Sequence, residues 1–237
     1  MTGIHPSAVI EDGAVVPDSC TVGPFCVVGA NVVLGERVNL KSHVVVTGDT
    51  IIGDETTVFP FSVLGEVPQD LKYGGEKAVL RIGKRNTIRE HVTMNIGTAG
   101  GGCETRIGDD GLYMAGCHVA HDVQIGDRVI LVNSVALAGH CILEDDVIVG
   151  GLSGVHQWVR IGRGAIVGAL SMVTHDVIPH GLVMGPRGEL DGLNLVGLKR
   201  KGFDRGDITA LRAAFLALKD CEGTIQERAN RLKDDLD

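Results

Sequence analysis

The sequence predicts a mainly β protein built as a parallel β-helix, and three observations carry that prediction. Ile, Val or Leu stands at every sixth position in the run Ile4, Ile10, Val16, Val22, Val28, Leu34, Leu40, Val46, Ile52, Val58 and Leu64. A small residue follows each beat four positions later: Ala8, Ala14, Cys20, Cys26, Val32, Val38, Val44, Thr50, Thr56 and Ser62. Hydrophobic residues make up 44% of the chain but aromatics only 3%, and 34 of the 237 residues are glycine. Such a core must consist of many small β-branched side chains on a chain that turns often.

A six-residue period is the signature of a parallel β-helix. Each unit is a short strand and a corner; the aliphatic points inward and the small residue fits the crowded corner. Glycines after the beats are expected to help the chain turn. Three units make one triangular coil, and coils stack at roughly 4.8 Å. Full burial of each aliphatic contributes about 1.5–3 kcal/mol, so no single rung should be indispensable. Cys20, Cys26, Cys117 and Cys141 all occupy the small interior position and read as small buried hydrophobes.

The beat lapses twice. Residues 66–80, EVPQDLKYGGEKAVL, read as an excursion; Ile82, Ile88 and Met94 resume the count; the glycine-rich stretch 97–105 breaks it again. It then runs, shifted by one, from Ile107 through Tyr113, Val119, Ile125, Leu131, Leu137, Leu143, Val149, Val155, Ile161 and Val167 to Val173. The β-helix is therefore placed at residues 1–180 and a short α-helical region at 181–237. Within the latter, 207–220 has helical spacing with Asp207 as N-cap, and Thr224 to Glu227 fits a capping box. This last helix reaches the end at LKDDLD, and the domain is expected to continue beyond it.

The net charge of −8 argues against a nucleic-acid partner. It is unevenly spread: residues 1–189 carry 13 Lys/Arg against 21 Asp/Glu (13 − 21 = −8), and 190–237 carry 9 against 9. Bases cluster at Lys199, Arg200, Lys201 and Arg205. The opening MTGIHPSAVIEDGA has no basic or apolar leader pattern, and no apolar run is long enough to span a membrane. Six cysteines without a CxxC pair suit reduced thiols, so a cytoplasmic location is expected.

Counting coils in steps of 18 residues places side chains in columns. His121, Gly139, Gln157 and His175 share one; Asp122, His140 and Trp158 share the next; His118 lies under Ala136. Four of the nine histidines fall within 118–156. Such a patch suits acyl transfer: a histidine can take a proton from a hydroxyl, Asp122 can fix its tautomer, and the Gly139 N–H can stabilise an oxyanion. No serine or cysteine is paired with these histidines, so direct attack by a substrate hydroxyl is expected. A zinc site is disfavoured. Trimeric proteins resembling γ-carbonic anhydrases pair one histidine with another five residues on, and His118 plus five is Val123.

The motifs HVAHD, LAGH, VHQW, GEVPQDLKY, LKSHVVV and GLKRKGF resemble those of the UDP-N-acetylglucosamine 3-O-acyltransferases (LpxA), the first enzymes of lipid A synthesis. The resemblance covers residues 3–233. It implies a left-handed β-helix, a homotrimer with active sites between subunits, and no cofactor, the acyl donor being a 3-hydroxyacyl-phosphopantetheine carrier protein. Carried over, His121 is the general base, Asp122 orients it and Gly139 supplies the oxyanion-hole amide. His118, His140, His156 and Gln157 match substrate-contacting positions. Asp70 and Lys72 match residues at the sugar and its phosphates, with Gln69 beside them; Asn194, Arg200 and Lys201 match the uridine-diphosphate end. The basic cluster suits an acidic carrier protein.

Three positions depart from the family pattern. Asn95, in VTMNIGT, replaces a histidine and bears on how the sugar is held and whether its 3-substituent is hydroxyl or amine. Val196 stands where many members have an acidic residue. Ala169, in VGALS, falls at the acyl-length ruler; members using the longest chains have glycine there, so a shorter chain is implied. The alternatives are action on the 3-amino sugar nucleotide, and the related N-acyltransferase of the pathway. The latter carries an extra N-terminal domain, for which a repeat beginning at Ile4 leaves no room. A non-catalytic scaffold is opposed by the histidine columns.

Overall fold

The computed structural model describes residues 3–186, 192–220 and 222–234, in two compact units, Met1–Pro186 and Arg187–Asp237. The first unit is a left-handed parallel β-helix. Its strands, most of them two residues long, form three sheets. One runs from Gly3–Ile4 to Leu182–Val183, one from Val9–Ile10 to Met172–Val173, and one from Val33–Leu34 to Arg160–Ile161. All pairings are parallel. Neighbours in a sheet are one coil apart: His118–Val119 pairs with Ala136–Leu137, which pairs with Gly154–Val155, which pairs with Met172–Val173.

The beat residues fill the prism. Val28, Leu40, Val58, Leu64, Val119, Leu137 and Val149 have no solvent exposure, and the small-position Cys26, Val38, Val44, Cys117 and Cys141 are equally enclosed. Ile4, on the end strand of its sheet among the described residues, is 50% exposed. Leu182–Val183 pairs with Ile166–Val167, so strand pairing continues past residue 180 and the unit closes at Pro186.

The corners depart from the expected role of glycine. Their left-handed positions are filled mostly by other residues, which line up in three columns. One holds Phe25, His43, Phe61, His91, Ser134, Leu152 and Leu170; the second Arg37, Glu55, Arg85, Asp110, Arg128, Asp146 and His180; the third Asp122, His140 and Trp158. Of the glycines after the beat Gly65 does turn the chain, at φ 84°; Gly23, Gly29, Gly35 and Gly53 have no positive φ, and Gly23, Gly35 and Gly53 serve close approach instead. A Cβ on Gly108 would strike the Gly126 carbonyl of the next coil. In the second column Arg37–Glu55, Arg85–Asp110 and Arg128–Asp146 form ion pairs along the edge. The coil after Gln157 is shortened, Ile161 bridging directly to Val177. His175 is therefore dropped from the column that equal spacing gave it.

Two excursions leave the prism. The first spans residues 67–78, between strands Val63–Glu66 and Val79–Ile82. The second contains a 3₁₀ turn, Ala99–Gly101, before strand Glu104–Ile107.

The second unit has three helices: α1 (Leu195–Arg200), α2 (Arg205–Asp220) and α3 (Ile225–Asp234). Helix α1 was not foreseen. At the start of α2 the Asp207 N–H donates to Asp204 Oδ1 at 2.8 Å, so Asp204 supplies the cap and Asp207 lies within the first turn. The capping box at α3 is as expected: Thr224 N–H donates to Glu227 Oε2 at 2.7 Å, and Glu227 N–H to Thr224 Oγ1 at 3.3 Å. No helix among the described residues is long and apolar enough to cross a membrane.

Candidate active site

The third corner column carries the chemistry. Asp122 (φ 60°), His140 (φ 63°) and Trp158 (φ 69°) occupy successive left-handed positions, each preceded by its partner: His121, Gly139 and Gln157. The His140 N–H donates to the His121 carbonyl at 3.0 Å, and the Trp158 N–H to the Gly139 carbonyl at 3.3 Å. Backbone bonds between coils thus fix the two columns. The His140 ring meets His121 edge-on at 4.9 Å and lies parallel to Trp158 at 3.8 Å.

His121 and Asp122 are buried, 5% and 4% exposed. His121 Nδ1 lies 2.8 Å from Asp122 Oδ2. An ionised carboxylate only accepts, so Nδ1 carries the proton and Nε2 keeps the lone pair of the neutral ring. Asp122 is held from its other side by Thr98, whose N–H donates to Oδ1 at 2.8 Å and whose hydroxyl donates to Oδ2 at 2.6 Å. The Asp122 N–H donates to Thr105 Oγ1 at 2.8 Å. The glycine-rich excursion wraps this carboxylate, and a Cβ on Gly101 would overlap Asp122 Cγ.

A Cβ on Gly139 would come within 2.5 Å of His121 Cε1 and 2.7 Å of Nε2, so the imidazole lies directly over the glycine. The Gly139 N–H has no hydrogen-bond acceptor among the described residues. In the charged corner the equivalent amides are capped: Asp109 N–H donates to Asp127 Oδ1 at 2.8 Å and Asp127 N–H to Asp145 Oδ1 at 3.1 Å. At Gly139 no carboxylate takes that place, and the donor remains for a ligand.

A groove of about 460 Å³ opens beside this pair, lined by Gln69, Asn95, His118, His121, Gly139, His156 and Gln157, with Met172 also in its wall. Seven of the expected residues are thus brought together. Asp70, Lys72 and His140 line an adjoining cavity of about 300 Å³ with Glu76, Thr98 and Trp158. Ala169 is exposed on the corner of Ser134, Leu152 and Leu170 and does not line the groove of a single chain. Asn194 and Lys201 line a separate cavity in the second unit. There Asn194 caps α1, its Oδ1 accepting from Gly197 N–H at 2.8 Å; Arg200 is exposed.

His118 Nδ1 lies 2.8 Å from Thr93 Oγ1. Burial pushes its pKa below the ordinary histidine value, and neighbouring His121 adds to the shift. Burial also lowers His140, against the opposing pull of Asp122. Asn95 gives both amide hydrogens to the first excursion, donating to the carbonyls of Glu66 at 3.2 Å and Val67 at 3.1 Å. This fixes its orientation and makes it an anchor for the loop that carries Gln69, Asp70 and Lys72.

His121, Asp122 and His140 offer ligand atoms within 4.8 Å of one another, which invites a metal reading. The Asp122 oxygens, however, already accept from Thr98 and His121; an ion there would have to break those bonds. Thr98, Thr105 and Thr93 went unrecognised in the sequence. Thr98 lies where the period lapses, so no column count reaches it.

The chain is similar to known proteins over most of its length. Residues 13–48 match the family model described as bacterial transferase hexapeptide (six repeats), and 176–237 match UDP N-acetylglucosamine O-acyltransferase, domain 2. A Paracoccus denitrificans protein named acyl-[acyl-carrier-protein]–UDP-N-acetylglucosamine O-acyltransferase is 69% identical over 175 residues, 74% of this chain and 66% of that relative. A Rhizobium johnstonii protein of the same name is 49% identical over 98% of this chain and 85% of its own length. The crystal structure of LpxA from Acinetobacter baumannii superposes with a TM-score of 0.76 at 39% identity, covering 97% of this chain and 89% of that one.

Proposed function

The chain belongs to the UDP-N-acetylglucosamine O-acyltransferase family, and from that premise we propose that it transfers a 3-hydroxyacyl chain from an acyl-carrier-protein thioester to the 3-hydroxyl of UDP-N-acetylglucosamine. This is the opening step of lipid A biosynthesis. The observation that carries the reading is the buried His121–Asp122 pair set against the bare amide of Gly139.

His121 Nε2 takes the proton of the sugar hydroxyl as its oxygen attacks the thioester carbonyl. Asp122, held by Thr98, stabilises the imidazolium that forms. The carbonyl oxygen gains charge and accepts from the Gly139 N–H, a donor already in place and so needing no reorganisation. Collapse expels the thiolate, which recovers the proton from His121. Atoms and charge balance with no cofactor. His118, His156, Gln157 and Gln69 line the groove around the reacting atoms, and Asp70 and Lys72 flank it.

The same reading assigns Asn194, Arg200 and Lys201 to the uridine-diphosphate end and Ala169 to acyl-length selection, and it makes the protein a cytoplasmic homotrimer. Ile166, Leu152, Leu170 and Met172 are exposed apolar side chains that subunit contacts would cover. The test is to incubate purified protein with UDP-N-acetylglucosamine and a series of 3-hydroxyacyl carrier proteins. Release of free carrier thiol with formation of the acylated sugar nucleotide is expected. Absence of turnover with every donor would overturn the reading.

A further inference from the structure

The excursion of residues 67–78 is tied down at both ends, and the two ties differ in kind. At its start Asn95 holds the carbonyls of Glu66 and Val67. At its end Glu76 reaches out of the loop: Oε1 accepts from the Ala99 N–H at 2.9 Å, while Oε2 accepts from the Gly74 N–H at 2.9 Å within its own loop. Ala99 follows Thr98, whose N–H and hydroxyl hold both oxygens of Asp122. A continuous path of hydrogen bonds therefore runs from the loop bearing Gln69, Asp70 and Lys72, through Glu76 and the Thr98–Ala99 peptide, to Asp122 and His121.

The Glu76 end of the path is a charged acceptor near the surface. Backbone donors hold the Glu76 carboxyl below the usual range, Ala99 foremost, so an ionised acceptor faces the excursion. Charge-assisted bonds of this type are roughly twice as strong as neutral ones. Gly97 and Gly101 carry no side chains that could brace the excursion, because either Cβ would run into Asp122. Within the turn the Gly101 and Cys103 N–H groups donate to the Thr98 carbonyl at 3.1 and 2.8 Å, and Glu76 adds an anchor from outside it.

We propose that Glu76 is a positioning residue for the transfer reaction: it anchors the Thr98–Ala99 peptide and so holds Asp122 square to His121, linking the substrate-side loop to the base. The inference rests on the acyltransferase reading above. It makes a distinction that simple loop anchoring does not. A residue that only holds Gln69, Asp70 and Lys72 in place acts on sugar binding and changes KM. A residue that holds the dyad acts on proton transfer and changes kcat.

The experiment is steady-state kinetics of the full chain as wild type, Glu76→Ala and Glu76→Gln, with UDP-N-acetylglucosamine as the varied substrate and thermal unfolding measured alongside. Glu76→Ala is expected to lower kcat about tenfold or more, since a displacement near 1 Å can cost 10²-fold; Asn95 still ties the start of the loop, so KM should change by a smaller factor than kcat. Glu76→Gln keeps an acceptor for Ala99 N–H and is expected to recover most of kcat. The downfield N–H resonance of the His121 ring should shift in Glu76→Ala and return in Glu76→Gln. If Glu76→Ala folds but raises KM alone, or leaves the resonance and kcat unmoved, the proposal is wrong. If Glu76→Ala does not fold, Glu76→Gln decides: loss of kcat and of the wild-type resonance in that variant contradicts it. An inactive wild type would instead sink the acyltransferase reading, so the two failures are distinguishable.

Discussion

Thr98 grips both carboxylate oxygens of Asp122, at 2.8 Å through its N–H and 2.6 Å through its hydroxyl, while His121 shares the second oxygen at 2.8 Å. The base is thus oriented by a carboxylate that is itself oriented. Thr98→Val keeps the N–H and the shape but removes the hydroxyl. A hydrogen bond to a charged group is worth about 1.5–3 kcal/mol, so kcat should fall roughly tenfold or more, and Thr98→Ser should restore it. Steady-state kinetics of the two variants check this; equal activities would show that the hydroxyl plays no part.

Gly139 sits under the imidazole with no room for a methyl group. Gly139→Ala should displace the His121 ring and crowd the oxyanion position together. A drop in kcat on the order of 10²-fold is expected, with a lower melting temperature as the buried ring is pushed from Asp122 but the fold retained, since the column is held by backbone bonds. Kinetics and a melting curve on the same sample make the comparison.

Burial lowers the pKa of both His118 and His140. A histidine held below its unfolded value of about 6.5 takes up its proton later in the native state than in the unfolded one. The unfolded state therefore binds more protons between the two values, and stability rises with pH through that window. It is complete above about 6.5 and is lost as pH falls toward the folded values. Urea unfolding should show a lower midpoint at acidic than at neutral pH, and His118→Gln should weaken the dependence. Imidazole NMR titration should place both midpoints below the free-histidine value.

Much of the site could be read from spacing alone, because the beat runs unbroken from Ile107 to Val173 and each 18-residue step lands one coil up. That arithmetic put His121 with Gly139 and Asp122 with His140, as the backbone bonds between coils require. It failed where the coil length changes. His175 falls on a shortened turn, and Thr98 and Glu76 lie in excursions where residue number carries no geometric information. Corner glycines misled for another reason: most left-handed positions are filled by other residues, among them Phe, Leu, Asp, Arg, His and Trp, tolerated because inter-coil hydrogen bonds hold the corner. Helix α1 is six residues long, too short to leave a period in the sequence.

The central claim is that His121 is the base. Wild type and His121→Ala should be compared for kcat with UDP-N-acetylglucosamine and a 3-hydroxyacyl carrier protein, both proteins having the same circular dichroism and melting temperature. A general base contributes about 10²–10⁴-fold, and the account predicts a loss of that size in the variant. Turnover in His121→Ala equal to wild type would contradict it.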